Sequence, residues 1–242
     1  RVMLGKMTWR LANQARDSGR KGTAAFYQDA MNAFKKAVEL DPEPIEPRQM
    51  LAQAQFDSNQ PQQAAETISS LLMHMQSKGG GTEEQVLAAH ALRANAASRA
   101  YATAKNGGNN DVGLLTSSRT SMRWLEQKSK LTPELLKMWS TTEQWAEAPA
   151  EATNVYVRAS ERAPADFAML ELVVSTAASQ KQLPLAIASL KKRDDAGTIW
   201  YLGKAQYYVA GDQRQDGKTD DAVKTIDAAI ASFTKSMTKN AG

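Results

Sequence analysis

A Gly-Lys-Thr run at 217–219 is where this chain comes nearest to a catalytic loop. A phosphate cradle of that kind needs four residues between its glycines and a strand before them, so that backbone N–H groups converge on the phosphates. Here five residues separate Gly211 from Gly217, and no strand-like run precedes them. The segment reads as a polar turn leading into a last helix. Histidine chemistry is equally thin. The two histidines, His74 and His90, lie in HMQ and AAHAL contexts with no second ligand at metal-binding spacing. Both read as helix-face or core histidines. The acidic pairs Asp194/Asp195 and Asp220/Asp221 stand at expected helix starts, where the helix dipole favours negative charge. No serine sits in a nucleophile elbow, and there is no cysteine to form a disulfide, a thiolate nucleophile or a zinc site. The expectation is a protein that is not an enzyme, with no catalytic set, no cofactor and no metal.

The chemistry that does stand out is non-covalent. In TIWYLGKAQYYVAGD, residues 198–212, four aromatics crowd into nine positions of a chain that is only 7% aromatic. Wound at 100° per residue, Ile199, Leu202 and Val209 share one side, with Ala205 and Gln206 at its margins. Trp200, Lys204, Tyr207 and Tyr208 share the opposite side, and Tyr201 lies between. The helix therefore carries an aliphatic packing stripe and a separate aromatic face with one lysine. Such a face either binds a ligand or is covered by a neighbouring helix.

The elements that must hold these residues are helical. Alanine, Gln, Lys, Glu, Leu and Met fill most of the 242 residues, and alternating strand-like runs are missing. VYV at 155–157 and LVV at 172–174 are embedded in helical periodicity. Breaks fall at 17–22, 41–47, 58–61, 77–82, 106–111, 131–134, 147–151, 162–166, 181–184, 193–197 and 210–220. They divide the chain into about twelve helices. Thr82 and Gln85 have capping-box spacing, and Thr132-Pro133 reads as an N-cap followed by a first-turn proline. The glycines at 79–81 are the one suspected hinge, near 77–82, in what otherwise reads as a single domain over 1–242. The methionine-rich stretches MLGKM (3–7) and LLMHM (71–75) read as core at helical spacing. The chain begins at Arg1, which suggests a processed product or a piece of a longer protein. No apolar stretch reaches the length of a membrane span. The 30 basic and 26 acidic residues are interspersed, giving a net charge of +4 without the basic stripe of a nucleic-acid binder. The compartment stays open between cytoplasm and periplasm.

Aligning the segment ends exposes a repeat. A small residue leads, a large one follows four positions on, and a small one comes three later: Ala30/Phe34/Ala37, Ala152/Tyr156/Ala159 and Ala222/Ile226/Ala229. Two segments close on a proline, Pro42 and Pro164. This resembles the second helix of a tetratricopeptide repeat. IWYLGKAQYYVAGD resembles the first helix, and RQMLAQAQFDSNQ (48–60) and ELLKMWSTTEQW (134–145) are looser copies. The resemblance covers nearly the whole chain as about six helix pairs, roughly 2–40, 45–77, 82–131, 133–163, 165–193 and 196–238. The third pair departs from the pattern, with Ser121 and Lys128 where small apolar residues belong. The implied fold is all-α: a right-handed superhelix of antiparallel pairs with a concave inner surface.

The resemblance also implies which side chains line that surface. With Leu202-Gly203 aligned to the family's Leu-Gly, they are Trp200, Lys204, Tyr207 and Tyr208. The same mapping gives Gln49, Gln53 and Phe56 in the second pair, Lys137, Thr141 and Trp145 in the fourth, and Glu171, Ser175 and Ala178 in the fifth. Trp9, Asn13 and Arg16 are looser candidates in the first. The Lys/Asn/Lys/Arg set with which some family members clamp a peptide's C-terminal carboxylate cannot be assembled. The implied function is a protein-interaction scaffold that holds a protein or peptide ligand by apolar anchors, with an acidic group near Lys204. A structural spacer in an envelope or secretion-type assembly is the alternative. A nucleic-acid-binding helical repeat is a third reading, which would bind with steep salt dependence. Exposed aromatics and solenoid ends make self-association a further expectation.

Overall fold

The computed structural model describes residues 1–20, 22–163 and 166–240. These form twelve α-helices and no strand. They are α1 (Val2–Asp17), α2 (Thr23–Leu40), α3 (Ile45–Asp57), α4 (Pro61–Lys78), α5 (Glu83–Asn106), α6 (Val112–Gln127), α7 (Pro133–Trp145), α8 (Pro149–Arg162), α9 (Phe167–Ser179), α10 (Leu183–Leu190), α11 (Ala196–Gln215) and α12 (Thr219–Asn240). The closing proline expected at Pro164 lies outside the described residues.

Local chemistry fixes many of these boundaries. Thr82 Oγ1 accepts from the Gln85 N–H at 3.2 Å, and Gln85 Oε1 accepts from the Thr82 N–H at 2.9 Å, a complete capping box for α5. Thr132 caps α7 by accepting from the Leu135 N–H. Asp111, Asp166 and Asp195 cap α6, α9 and α11 in the same way. At the end of α4, Gly79 takes φ +63°, a left-handed turn that closes the helix at no Cβ cost. One expected break shrinks. Residues 210–215 belong to α11, which runs through Gly211 and is held along its length by α12. The Gly217-Lys218-Thr219 run is then a short turn into α12, with Lys218 paired to Asp216.

The helices gather into two compact units, Arg1–Trp139 and Ser140–Gly242, and the glycines at 79–81 lie inside the first. In the first unit, consecutive helices pack as pairs, and the contacts α1–α3, α3–α5 and α4–α6 place odd- and even-numbered helices in separate layers. In the second unit, α9 lies beside α11 and α8 beside α10, with α12 packed along α11.

Small residues make the seams. Ala30, Phe34, Leu51 and Ala54 form one buried cluster, and Ala52, Ile68, Leu71, Met75 and Ala89 another. Ala64, Ala65, Ala96 and Ala97 join α4 to α5 with almost no side chain between them. The repeat triplets occupy these seams: Ala30, Phe34, Ala37, Ala152, Tyr156, Ala222 and Ala229 are all buried. Ala159 and Ile226 are half-buried.

The methionine-rich stretches divide. Leu71 and Met75 are core, but Met73 is exposed, and so are Met3, Leu4 and Met7 on α1. α1 packs through Gly5, Ala12 and Ala15 instead, because only that flank meets α2 and α3. Gly5 rests against the ring of Phe34, which is fully buried, and a Cβ there would stand 2.6 Å from the ring. Gly5→Ala gains helix propensity yet forces a ring with no room to move. The net expectation is a loss of about 1–2 kcal/mol, read as a lower midpoint in urea unfolding.

Candidate functional site

The aromatic face of α11 is open to solvent over most of its length. Trp200 is 43% exposed, Tyr207 57% and Tyr208 37%. The opposite face packs, though not through the residues the wheel put first. Ile199, Gly203, Ala205, Gln206 and Ala210 are buried, while Leu202 and Val209 are only half-buried. The reason is α12. Its Phe233 ring lies directly on Gly203, where a Cβ would come within 2.9 Å, and Ser232 donates to Gln206 Oε1 at 2.8 Å.

That ring also divides the aromatic face. Trp200 meets Phe233 edge-on at 5.7 Å and Tyr201 at 5.0 Å, so one end of the face is partly packed. Tyr207 and Tyr208 instead open onto a cleft of about 590 Å³, walled by Leu183, Ala210, Val223 and Ile226, with Asp212 and Arg214 at its rim.

Lys204 sits between these two ends. Its Nζ donates to both carboxylate oxygens of Glu171 on α9, at 2.7 and 2.6 Å. It lies 5.9 Å from the ring centres of Trp200, Tyr201 and Tyr208. The bond to Glu171 holds the Lys204 ammonium above its ordinary pKa, so it remains charged. An acidic group arriving at Lys204 must therefore compete with Glu171, itself one of the positions mapped to the inner surface. Trp145, at the end of α7, is 39% exposed, and Lys137 on the same helix is exposed.

In the first unit the mapped residues meet one another. Gln53 Nε2 donates to Asp57 Oδ1 and Trp9 Nε1 to Asp57 Oδ2, both at 2.9 Å. Asn13 accepts from the Tyr27 hydroxyl at 2.6 Å, and Arg16 donates to that same oxygen at 3.1 Å. Phe56 lies under the Arg99 guanidinium at 4.8 Å, and Arg99 also donates to Asn59. Gln49 is half-buried on the same helix as Gln53 and Phe56. Sequence reasoning missed Asp57, Tyr27 and Arg99. Asp57 was within reach, because it stands four residues beyond Gln53 and so on the same helical face. Tyr27 and Arg99 come from α2 and α5 and carry no local signal.

Among the described residues no cluster of three or more His, Asp or Glu could hold a metal, and no helix is long and apolar enough to cross a membrane. His90 is buried and stacks on Trp124 at 4.1 Å with the planes 12° apart. His74 is exposed, its Nε2 3.3 Å from the Glu43 carbonyl oxygen.

An all-α array of paired helices with alanine seams defines a helical-repeat protein. Residues 27–78, from α2 through α4, match the family described as tetratricopeptide repeat. The resemblance read from the sequence is thus supported over α2 to α4. No curated protein matches this chain. Among solved structures it is similar to YrrB, a tetratricopeptide-repeat protein with an unusual peptide-binding site, at 16% identity over 87% of this chain and 98% of that one, TM-score 0.43. It is similar to TTC0263, a thermophilic tetratricopeptide-repeat protein of Thermus thermophilus, at 16% identity over 94% and 99%, TM-score 0.43. A third likeness is to the TPR2AB domain of yeast Sti1 in complex with pHSP90, at 16% identity over 97% and 99%, TM-score 0.31. The repeat supports an interaction-scaffold kind of function.

Burial, with a smaller contribution from Arg93, pushes the His90 pKa down from 6.5 to about 4. The unfolded chain then binds a proton that the folded chain refuses, so this contribution is full above pH 6.5 and is lost as pH falls towards 4. Allowing for solvent screening it amounts to about 2 kcal/mol. Unfolding titrations between those pH values should show stability rising with pH in the wild type, and a shallower rise in His90→Gln.

Proposed function

We propose that this protein is a non-catalytic interaction scaffold whose second unit holds a peptide or partner segment against the exposed face of α11. The observation that carries this reading is the cleft of about 590 Å³ onto which Tyr207 and Tyr208 open. Tyrosines give large contact area with a polar tip and little conformational entropy to lose, which suits them to anchor a partner. Leu183, Val223 and Ile226 form an apolar seat for one or two side chains of the bound segment. Trp200 and Lys204 extend the contact along α11, and Trp145 offers a further exposed aromatic in the same unit. Arg214 on the rim is the cation an acidic residue of the ligand meets first, since Lys204 is held by Glu171. The first unit offers a second candidate face, Gln49, Gln53 and Phe56 beside Trp9, where Gln53 and Trp9 are already held by Asp57 and Phe56 lies under Arg99.

The test is a peptide array probed with wild-type protein and with a Trp200→Ala/Tyr207→Ala variant, after a thermal melt confirms that the variant folds. Peptides with paired apolar residues should bind the wild type, and the variant should lose about tenfold or more in affinity. Unchanged binding by a folded variant sinks the reading. Glu171→Gln should leave stability within about 1 kcal/mol, because the pair is partly exposed. It should also raise affinity for acidic peptides several-fold by releasing Lys204, measured by fluorescence anisotropy.

A further inference from the structure

A second, unrelated cleft lies in the first unit, on the side of α5 that faces α6. Leu72, Met75, Val86 and Trp124 wall a space of about 460 Å³, and Arg93 and His90 line it. This is away from the Trp9, Gln53 and Phe56 face, which α5 meets through Arg99.

The charge in this cleft is unusual. Buried cations are ordinarily paired with a carboxylate, because removing a charge from water is costly. Arg93 is partly buried, and its one hydrogen bond is from Nε to the Ser121 hydroxyl at 2.6 Å. Burial alone acts on its pKa and pushes it down, with no acidic side chain close enough to oppose that. Among the described residues its two terminal nitrogens make no hydrogen bond.

Ser121 adds a second donor. Its oxygen accepts from Arg93 Nε and lies 3.3 Å from His90 Nδ1. With the Ser121 hydrogen turned to Nδ1, the neutral imidazole carries its proton on Nε2, a donor with no hydrogen-bond partner among the described residues. The ring is fixed by its stack on Trp124. Ser121 is the residue that breaks the repeat pattern, standing fully buried where a small apolar side chain belongs.

A half-buried guanidinium and an imidazole N–H beside an apolar wall, with the neutral side chains of Gln76 and Thr120 and no carboxylate in the lining, suit one anion that carries a hydrocarbon body. We propose that this cleft binds a small aliphatic carboxylate, its head held by Arg93 and His90 and its chain laid against Leu72, Met75, Val86 and Trp124. The volume falls in the range of small-molecule pockets, about 300–1,000 Å³. The single cation matches a single negative charge, and the apolar walls favour a carboxylate with a chain over a bare oxyanion.

The test uses octanoate as the probe, titrated calorimetrically into the full chain, with 1-octanol and inorganic phosphate as separate arms. Saturable binding of octanoate is expected, with octanol and phosphate each about tenfold weaker or more, and Arg93→Gln reducing octanoate affinity about tenfold or more. With two histidines in the chain, the imidazole signals are readily assigned by NMR, and those of His90 should shift as octanoate is added while those of His74 stay. This wild-type measurement stands even if Arg93→Gln fails to fold. Absence of saturable binding, equal binding of octanol or phosphate, a folded Arg93→Gln that binds as well as wild type, or heat without a His90 shift would each overturn the proposal.

Discussion

Helices of this protein stack because their backbones can come close, and alanine, glycine and serine at the seams allow it. Where Ala64 and Ala65 of α4 meet Ala96 and Ala97 of α5, almost nothing separates the two backbones. Where a large residue enters a seam, a small one receives it: Phe34 against Gly5, Phe167 against Gly197, Phe233 against Gly203. A single pair buries too little apolar surface to stand alone, so each pair depends on its neighbours. Buried hydroxyls fit the same seams by bonding across them, as Ser98 does to Ser118 at 2.7 Å and Ser236 to the Ala196 carbonyl at 2.8 Å.

Close packing settles which residues are left for other work. On α11, the ring of Phe233 takes Gly203 and meets Trp200 edge-on, while Tyr207 and Tyr208 stay exposed. The two units treat their polar side chains differently. In the first, Asp57 gathers Trp9 and Gln53, and Tyr27 gathers Asn13 and Arg16, so the face is stitched to itself. In the second, Lys204 is bound to Glu171 but the tyrosines beside it are not covered.

The third pair shows how a departure from a repeat pattern acquires meaning. Ser121 is a poor seam residue by itself, yet its hydroxyl organises His90 and Arg93 between α5 and α6. The cost is a partly buried cation without an acid. Repeats tolerate such substitutions because each interface contributes separately, and a loss at one is offset at the others.

The sequence by itself determined the helices, their caps and the seam residues, because these depend on contacts within a few positions. Thr82 with Gln85, Thr132 before Pro133 and the Ala-Phe-Ala triplet at 30, 34 and 37 could all be read without coordinates. It also located the open aromatics on α11, since a helix places residues four and seven apart on one face. What it could not decide was which partner each face meets. The wheel favoured Leu202 and Val209 as packing residues, but α12 arrives over Gly203 and leaves those two half-buried. Met3 and Met7 look like core by spacing and are exposed, because among the described residues α1 packs only against α2 and α3, on its other flank. The pairing of Lys204 with Glu171, the Asp57 cluster and the Arg93–Ser121–His90 chain join residues 28 to 48 positions apart wherever they cross between helices. Only the stacking of one pair on the next brings such residues within a hydrogen bond, and spacing along the chain carries no trace of it.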